Sequence, residues 1–216
     1  MSEPPSPNHP APKRNAPDSP DSPSGSDSRA KSAKLLGAKL VPHNVIELSL
    51  PDGLLDPKLS DFTSNLIHQI NALGLKPGGL AAALVDRCPY ANPFEDRNQN
   101  GTQEHLLGTV RIDKDPSDNP ENPTIFSLYA QLRGGAPGKH PHDSREHRVA
   151  YFESAIADLK AKAPGLESIA FPEKIGCAIA GGHWHDYKSI IHGFAAAMPN
   201  CAVYIVRCEK LHNRKK

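Results

Sequence analysis

The stretch Ile169-Ala170-Phe171-Pro172-Glu173-Lys174-Ile175-Gly176-Cys177-Ala178-Ile179-Ala180-Gly181-Gly182-His183-Trp184 reads as a short buried strand, a loop carrying three glycines, and a helix that begins near Asp186. A strand that feeds a glycine-rich loop and then a helix N-terminus is a common way to build an anion cradle. The glycines let backbone N–H groups approach a phosphate, and the helix start adds partial positive charge. The same spacing also describes a plain strand-to-helix connection whose glycines serve turn geometry. A second segment, Leu66-Ile67-His68-Gln69-Ile70-Asn71-Ala72-Leu73-Gly74-Leu75-Lys76-Pro77-Gly78-Gly79-Leu80-Ala81, repeats the pattern. Side by side at the top of a sheet, the two loops would flank a diphosphate. Asn71, the polar end of its strand, would face that crevice and could donate to a sugar hydroxyl, although a lone Asn is commonly a turn former. Lys76 is either a phosphate partner or a solvated loop charge.

Working outward, apolar periodicity predicts an α/β chain. Strands are expected over 40–50, 65–71, 108–112, 124–131, 168–171 and 202–206. Helices are expected over 79–87, with Leu80, Ala83 and Leu84 on one face, and over 144–162, with Asp143 as N-cap, Glu146 three residues on, and the stripe Val149, Phe152, Ile156 and Leu159. A third is expected over 186–198, with Ile190, Phe194 and Met198 inward. Strands separated by helices imply a sheet covered on both faces, with ligands at the carboxyl ends of its strands. Alternation turns His68 to the opposite face from Gln69 and Asn71, so a core histidine bonded to backbone is expected there.

Among the 216 residues, positions 1–34 contain no Val, Ile, Leu, Phe, Tyr or Trp. Such a segment buries nothing to offset the entropy of ordering, so it reads as a disordered Pro/Ser-rich tail ahead of one domain at 35–207 and a short basic end at 208–216. The net charge of +1 argues against nucleic acid as a partner. No signal-peptide core and no membrane-spanning run is visible, and the cysteines Cys88, Cys177, Cys201 and Cys208 form no C-x-x-C pair. The expected compartment is therefore reducing and intracellular, cytoplasmic or nuclear. His140/His142 and His183/His185 lack carboxylate or thiolate partners at metal-ligand spacing, so no metal is predicted.

The pairing of His68-Gln69-Ile70-Asn71 with Gly78-Gly79-Leu80-Ala81, followed by Phe171-Pro172, Ile175-Gly176-Cys177 and Gly181-Gly182-His183-Trp184, resembles the macrodomain superfamily. It is similar to the branch holding terminal ADP-ribose protein glycohydrolases and phosphatases of ADP-ribose 1″-phosphate. Cys88-Pro89-Tyr90-Ala91-Asn92-Pro93, Leu107-Gly108-Thr109-Val110 and Leu128-Tyr129-Ala130-Gln131 agree with it, and the resemblance spans roughly 44–206. It implies a three-layer α/β/α sandwich with a mixed central sheet and a cleft for ADP-ribose or ADP-ribosylated protein, without a cofactor.

Carried over by position, Asn71 would meet the distal ribose. Gly78, Gly79 and Leu80 would line that ribose and the diphosphate. Ile175, Gly176, Cys177, Ala178, Ile179, Ala180, Gly181 and Gly182 would form the second phosphate loop. In the glycohydrolase branch a strand-end lysine attacks the ribose and a loop aspartate assists, whereas the matching positions here are Gln131 and Ala180. Hydrolysis of an ADP-ribose linkage would then use activated water, with Asn71 and His183 as catalytic candidates and His183 as base. His183 could equally cap its helix or bind a phosphate. The adenine-binding aspartate would be Asp52 or Asp56. The alternative is a non-catalytic reader of ADP-ribose; an RNA-binding use of the cleft conflicts with the nearly neutral charge.

Overall fold

The computed structural model describes residues 44–95, 97, 101–138 and 140–210, together with the backbone of 39–41. The expected tail at 1–34 and the basic residues 211–216 lie outside the described residues. Ten elements follow in chain order: β1 (Lys39–Val41), β2 (Val45–Leu50), β3 (Asn65–Asn71), α1 (Leu80–Arg87), β4 (Val110–Asp113), β5 (Thr124–Gln131), α2 (Arg145–Lys162), β6 (Ser168–Pro172), α3 (Trp184–Ala197) and β7 (Ala202–Cys208), with short 3₁₀ turns between some of them.

The strands form one mixed sheet in the order β1-β2-β7-β6-β3-β5-β4. The five inner strands are mutually parallel, and β1 and β4 pair antiparallel at the edges. Inner strands of a parallel sheet are buried on both faces, which is why they read as continuous apolar runs. Ile169, Phe171, Val203 and Ile205 pack under α2 and α3 with Phe152, Leu159, Ile191 and Phe194. Their alternates Ala170 and Tyr204 pack on the other face with Leu54, Leu59, Phe62 and Leu84 of α1. The three layers are thus helix, sheet, helix.

Several boundaries differ from the sequence reading. The strand expected over 40–50 is two, β1 and β2, running antiparallel. Asn44, just before β2, takes a positive φ of 53° and donates its amide to the Met198 and Cys201 carbonyls. The N-cap of α2 is Ser144, whose hydroxyl accepts from the His147 N–H at 3.2 Å, and Asp143 is spent elsewhere. The α3 helix starts at Trp184, before Asp186, and buries Tyr187, Ile191, Phe194 and Ala195, with Ile190 only partly covered. In α1 the buried residues are Ala81 and Leu84. β7 runs to Cys208, past the strand end expected at 206, and Lys210 beyond it pairs with Asp52 at 2.6 Å.

β3 and β6 are neighbours, yet β3 leads to α1 on one face and β6 leads to α3 on the other. Chains leaving adjacent parallel strands toward opposite faces open a crevice at the carboxyl edge of the sheet. The loops 72–79 and 173–183 border that crevice, and residues 132–138 leave β5 beside them.

Candidate functional site

Asn71 ends β3 and is 9% exposed. Its Oδ1 accepts from the Gly74 N–H and, at 3.4 Å, from Nη1 of Arg97, while Nδ2 makes no hydrogen bond to a described residue. A Cβ on Gly74 would stand 2.5 Å from that Oδ1, so this turn closes only around glycine. The chain then exposes Gly78 and Gly79, and Gly79 takes φ 56° as it opens α1 without a side-chain cap. The N–H groups of Gly78, Gly79 and Leu80 find no acceptor among the described residues.

The second loop is drawn onto α3 by Tyr187. A Cβ on Gly182 would lie 2.5 Å from the Tyr187 ring, and one on Gly176 2.4 Å from it. The Gly182 N–H closes the loop on the Gly176 carbonyl at 2.9 Å. Ile175 is buried, and burial pushes the neighbouring Cys177 thiol up to about 11, with Sγ donating to the Ile175 carbonyl at 3.1 Å. A thiol held that high is not a nucleophile near neutral pH. Between the glycines, Ala178, Ile179 and Ala180 turn N–H groups to no described acceptor. The exposed Ile179 brings its Cδ1 within 3.5 Å of where a Cβ on Gly79 would stand. The two glycine loops therefore meet across the crevice.

His183 precedes α3 with extended backbone and no side-chain cap bond. Its Nε2 faces Nη1 of Arg145 at 2.9 Å. An arginine only donates, so that ring nitrogen is an acceptor and its lone pair is engaged. Arg145 also donates to the Gly181 carbonyl at 3.0 Å, which places a guanidinium against the second loop. Gln131 ends β5 as the register partner of Asn71, and its Oε1 accepts from Gln69 Nε2 at 2.9 Å. His68 is buried on the opposite face, where it bonds the Ser127 hydroxyl at 2.8 Å rather than backbone, and burial lowers its pKa to about 4. Asp56 is spent on the N–H groups of Lys58 and Asp52, and Asp52 on Lys210.

The sequence reading gave the segment that follows β5 no part in the site. It is anchored by Arg148, which is 1% exposed and forms a two-bond pair with Asp143 at 2.8 and 2.7 Å. The same guanidinium donates to the carbonyls of Gly135 at 2.7 Å, Ala180 at 3.0 Å and Arg133 at 3.2 Å. One side chain thus ties this loop to the second glycine loop. The available signal was Arg148 itself, a charge standing four residues before Phe152 on the buried stripe of α2. Cavities of about 390 and 520 Å³ open near Thr63, Ser64 and Ser168, at the amino ends of β3 and β6. Both lie at the edge of the sheet opposite the crevice that the glycine loops border.

No protein-family model matches the chain, and no curated protein matches it. Solved structures do. The macrodomain of Thermus aquaticus DarG is 22% identical over 74% of this chain and 97% of its own, with a TM-score of 0.52. The macrodomain of Mycobacterium tuberculosis DarG is 20% identical over 66% and 89%, at 0.52. A Bacteroides thetaiotaomicron protein of unknown function is 18% identical over 74% and 97%, at 0.53. The fold is that of a macrodomain. Its crevice lies where the switch in strand order puts it.

Proposed function

We propose that the crevice binds ADP-ribose, free or as the modification on a protein. The observation that carries this reading is the meeting of two rows of unbonded N–H groups, Gly78–Leu80 and Ala178–Ala180, with the Asn71 amide at the strand end beside them. Two such rows match the two phosphates of a diphosphate, and α1 and α3 both begin at the crevice, adding partial positive charge. Arg145 supplies a full charge at the second loop. Asn71 offers a donor for a ribose hydroxyl.

The second reading is hydrolysis of an ADP-ribose linkage, on protein or in ADP-ribose 1″-phosphate, by activated water. What favours it is His183 beside Gly182. Against it, Nε2 must release Arg145 before it can take a proton, and Gln131 offers neither nucleophile nor base. Binding therefore comes first. Titration calorimetry of the full chain with ADP-ribose should show saturable binding, and ADP-ribosyl-protein should be retained without release of ADP-ribose. Absence of binding would remove the assignment; turnover that disappears in Asn71→Ala would move the protein to the hydrolase reading.

A further inference from the structure

Arg97 is buried to 1% exposure, above the Phe94 ring at 4.4 Å and near that of Tyr129 at 5.6 Å. Among the described residues no carboxylate pairs with it, and its Nη2 is buried without a partner. A buried guanidinium is costly to hold unless its donors are engaged. Nε donates to Gln103 Oε1 at 2.8 Å, an oxygen fixed from the other side by the Tyr129 hydroxyl at 2.8 Å. Nη1 donates to the Gly74 carbonyl at 2.6 Å and to Asn71 Oδ1 at 3.4 Å.

Two donors, the Gly74 N–H and Arg97, converge on one oxygen of Asn71. That defines which end of the amide is the acceptor and turns Nδ2 toward a ligand. We infer that Arg97 is a positioning residue for ligand recognition: it holds the Asn71 amide and the turn through Gly74 in the one orientation that presents Nδ2 to the terminal ribose of the ligand. The inference rests on the ADP-ribose reading above. It assigns the cost of the buried cation to specificity for the ribose beyond the diphosphate, because the network touches the strand end and not the N–H rows.

The test compares ADP-ribose with ADP, which lacks that ribose, on the full chain. The parent should prefer ADP-ribose. Arg97→Met should lower ADP-ribose affinity at least tenfold and ADP affinity less than twofold, and the double variant with Asn71→Ala should bind ADP-ribose no more weakly than Asn71→Ala alone. If Arg97→Met does not fold, Arg97→Lys keeps the charge but cannot fork between Gly74 and Gln103, and carries the same comparison. Equal losses for both ligands would make Arg97 a packing residue and overturn the inference while leaving ADP-ribose binding intact. Additive losses in the double variant would also overturn it. A parent that binds neither ligand removes the functional reading, and this inference with it.

Discussion

At the residue scale, glycines in this crevice perform two separable tasks. Gly176 and Gly182 let the second loop lie against Tyr187, whose hydroxyl burial pushes up to about 12. Gly78 has nothing within 4 Å of a would-be Cβ. Gly182→Ala should therefore cost about 1–3 kcal/mol of stability through overpacking, read from the denaturant midpoint. Gly78→Glu should leave that midpoint unchanged and weaken ADP-ribose binding at least tenfold, about 1.4 kcal/mol, by setting a carboxylate against the diphosphate. Unchanged affinity in Gly78→Glu would take the first loop out of the site. Gly182→Glu cannot make this distinction, because its first side-chain atom already collides. Sequence marked both glycines as one kind of residue; the Tyr187 ring, brought from α3, is what separates them.

At the element scale, α2 carries more of the site than its apolar stripe suggested. Phe152, Ala155, Ile156 and Leu159 pack onto the sheet, and Arg148 continues the same face upward into the loops. Its pair with Asp143 is buried at both ends, so breaking one partner strands a charge. Asp143→Leu should cost about 3–5 kcal/mol, and adding Arg148→Met should recover much of it, since an apolar pair of similar volume removes the orphaned cation. ADP-ribose affinity should stay low in the recovered double variant, because the carbonyls of Gly135 and Ala180 lose their common donor. Affinity restored along with stability would show that the tie between loops is structural only. The capping pattern around residue 143 was legible, but its assignment was displaced by one: Ser144 reaches the His147 N–H, and Asp143 answers a buried arginine that local spacing does not reveal.

At the scale of the whole molecule, His68 couples the centre of the sheet to acidity. It sits on β3 with its ring on the face opposite Gln69, bonded to Ser127 of β5. Its folded pKa, about 4, lies below the unfolded value of 6.5, so the unfolded chain takes up the proton first. Stability is unaffected above pH 6.5, falls as the pH drops from 6.5 to 4, and levels off below that, for a total of roughly 3 kcal/mol from this residue. Unfolding curves at pH 7.5, 5.5 and 4.5 should show the decline, and His68→Gln should flatten it. A slope unchanged by that substitution would assign the acid sensitivity to other groups.

The alternation of strands and helices, the two strand-loop-helix units and their order were readable in the chain, because they rest on local periodicity and on glycine placement. That reading is enough to put two loops at one edge of a sheet. Tertiary structure alone decided the rest, since each remaining feature joins residues far apart in sequence. Arg97 under Asn71, Arg148 between Gly135 and Ala180, and Arg145 against His183 each satisfy a donor across a gap between elements. Hydrogen-bond geometry over a few ångströms has no period along a chain, so no spacing rule announces it. The fold was written in the pattern of apolar residues; the arrangement of the crevice was set by which acceptor each guanidinium reached once that pattern had packed.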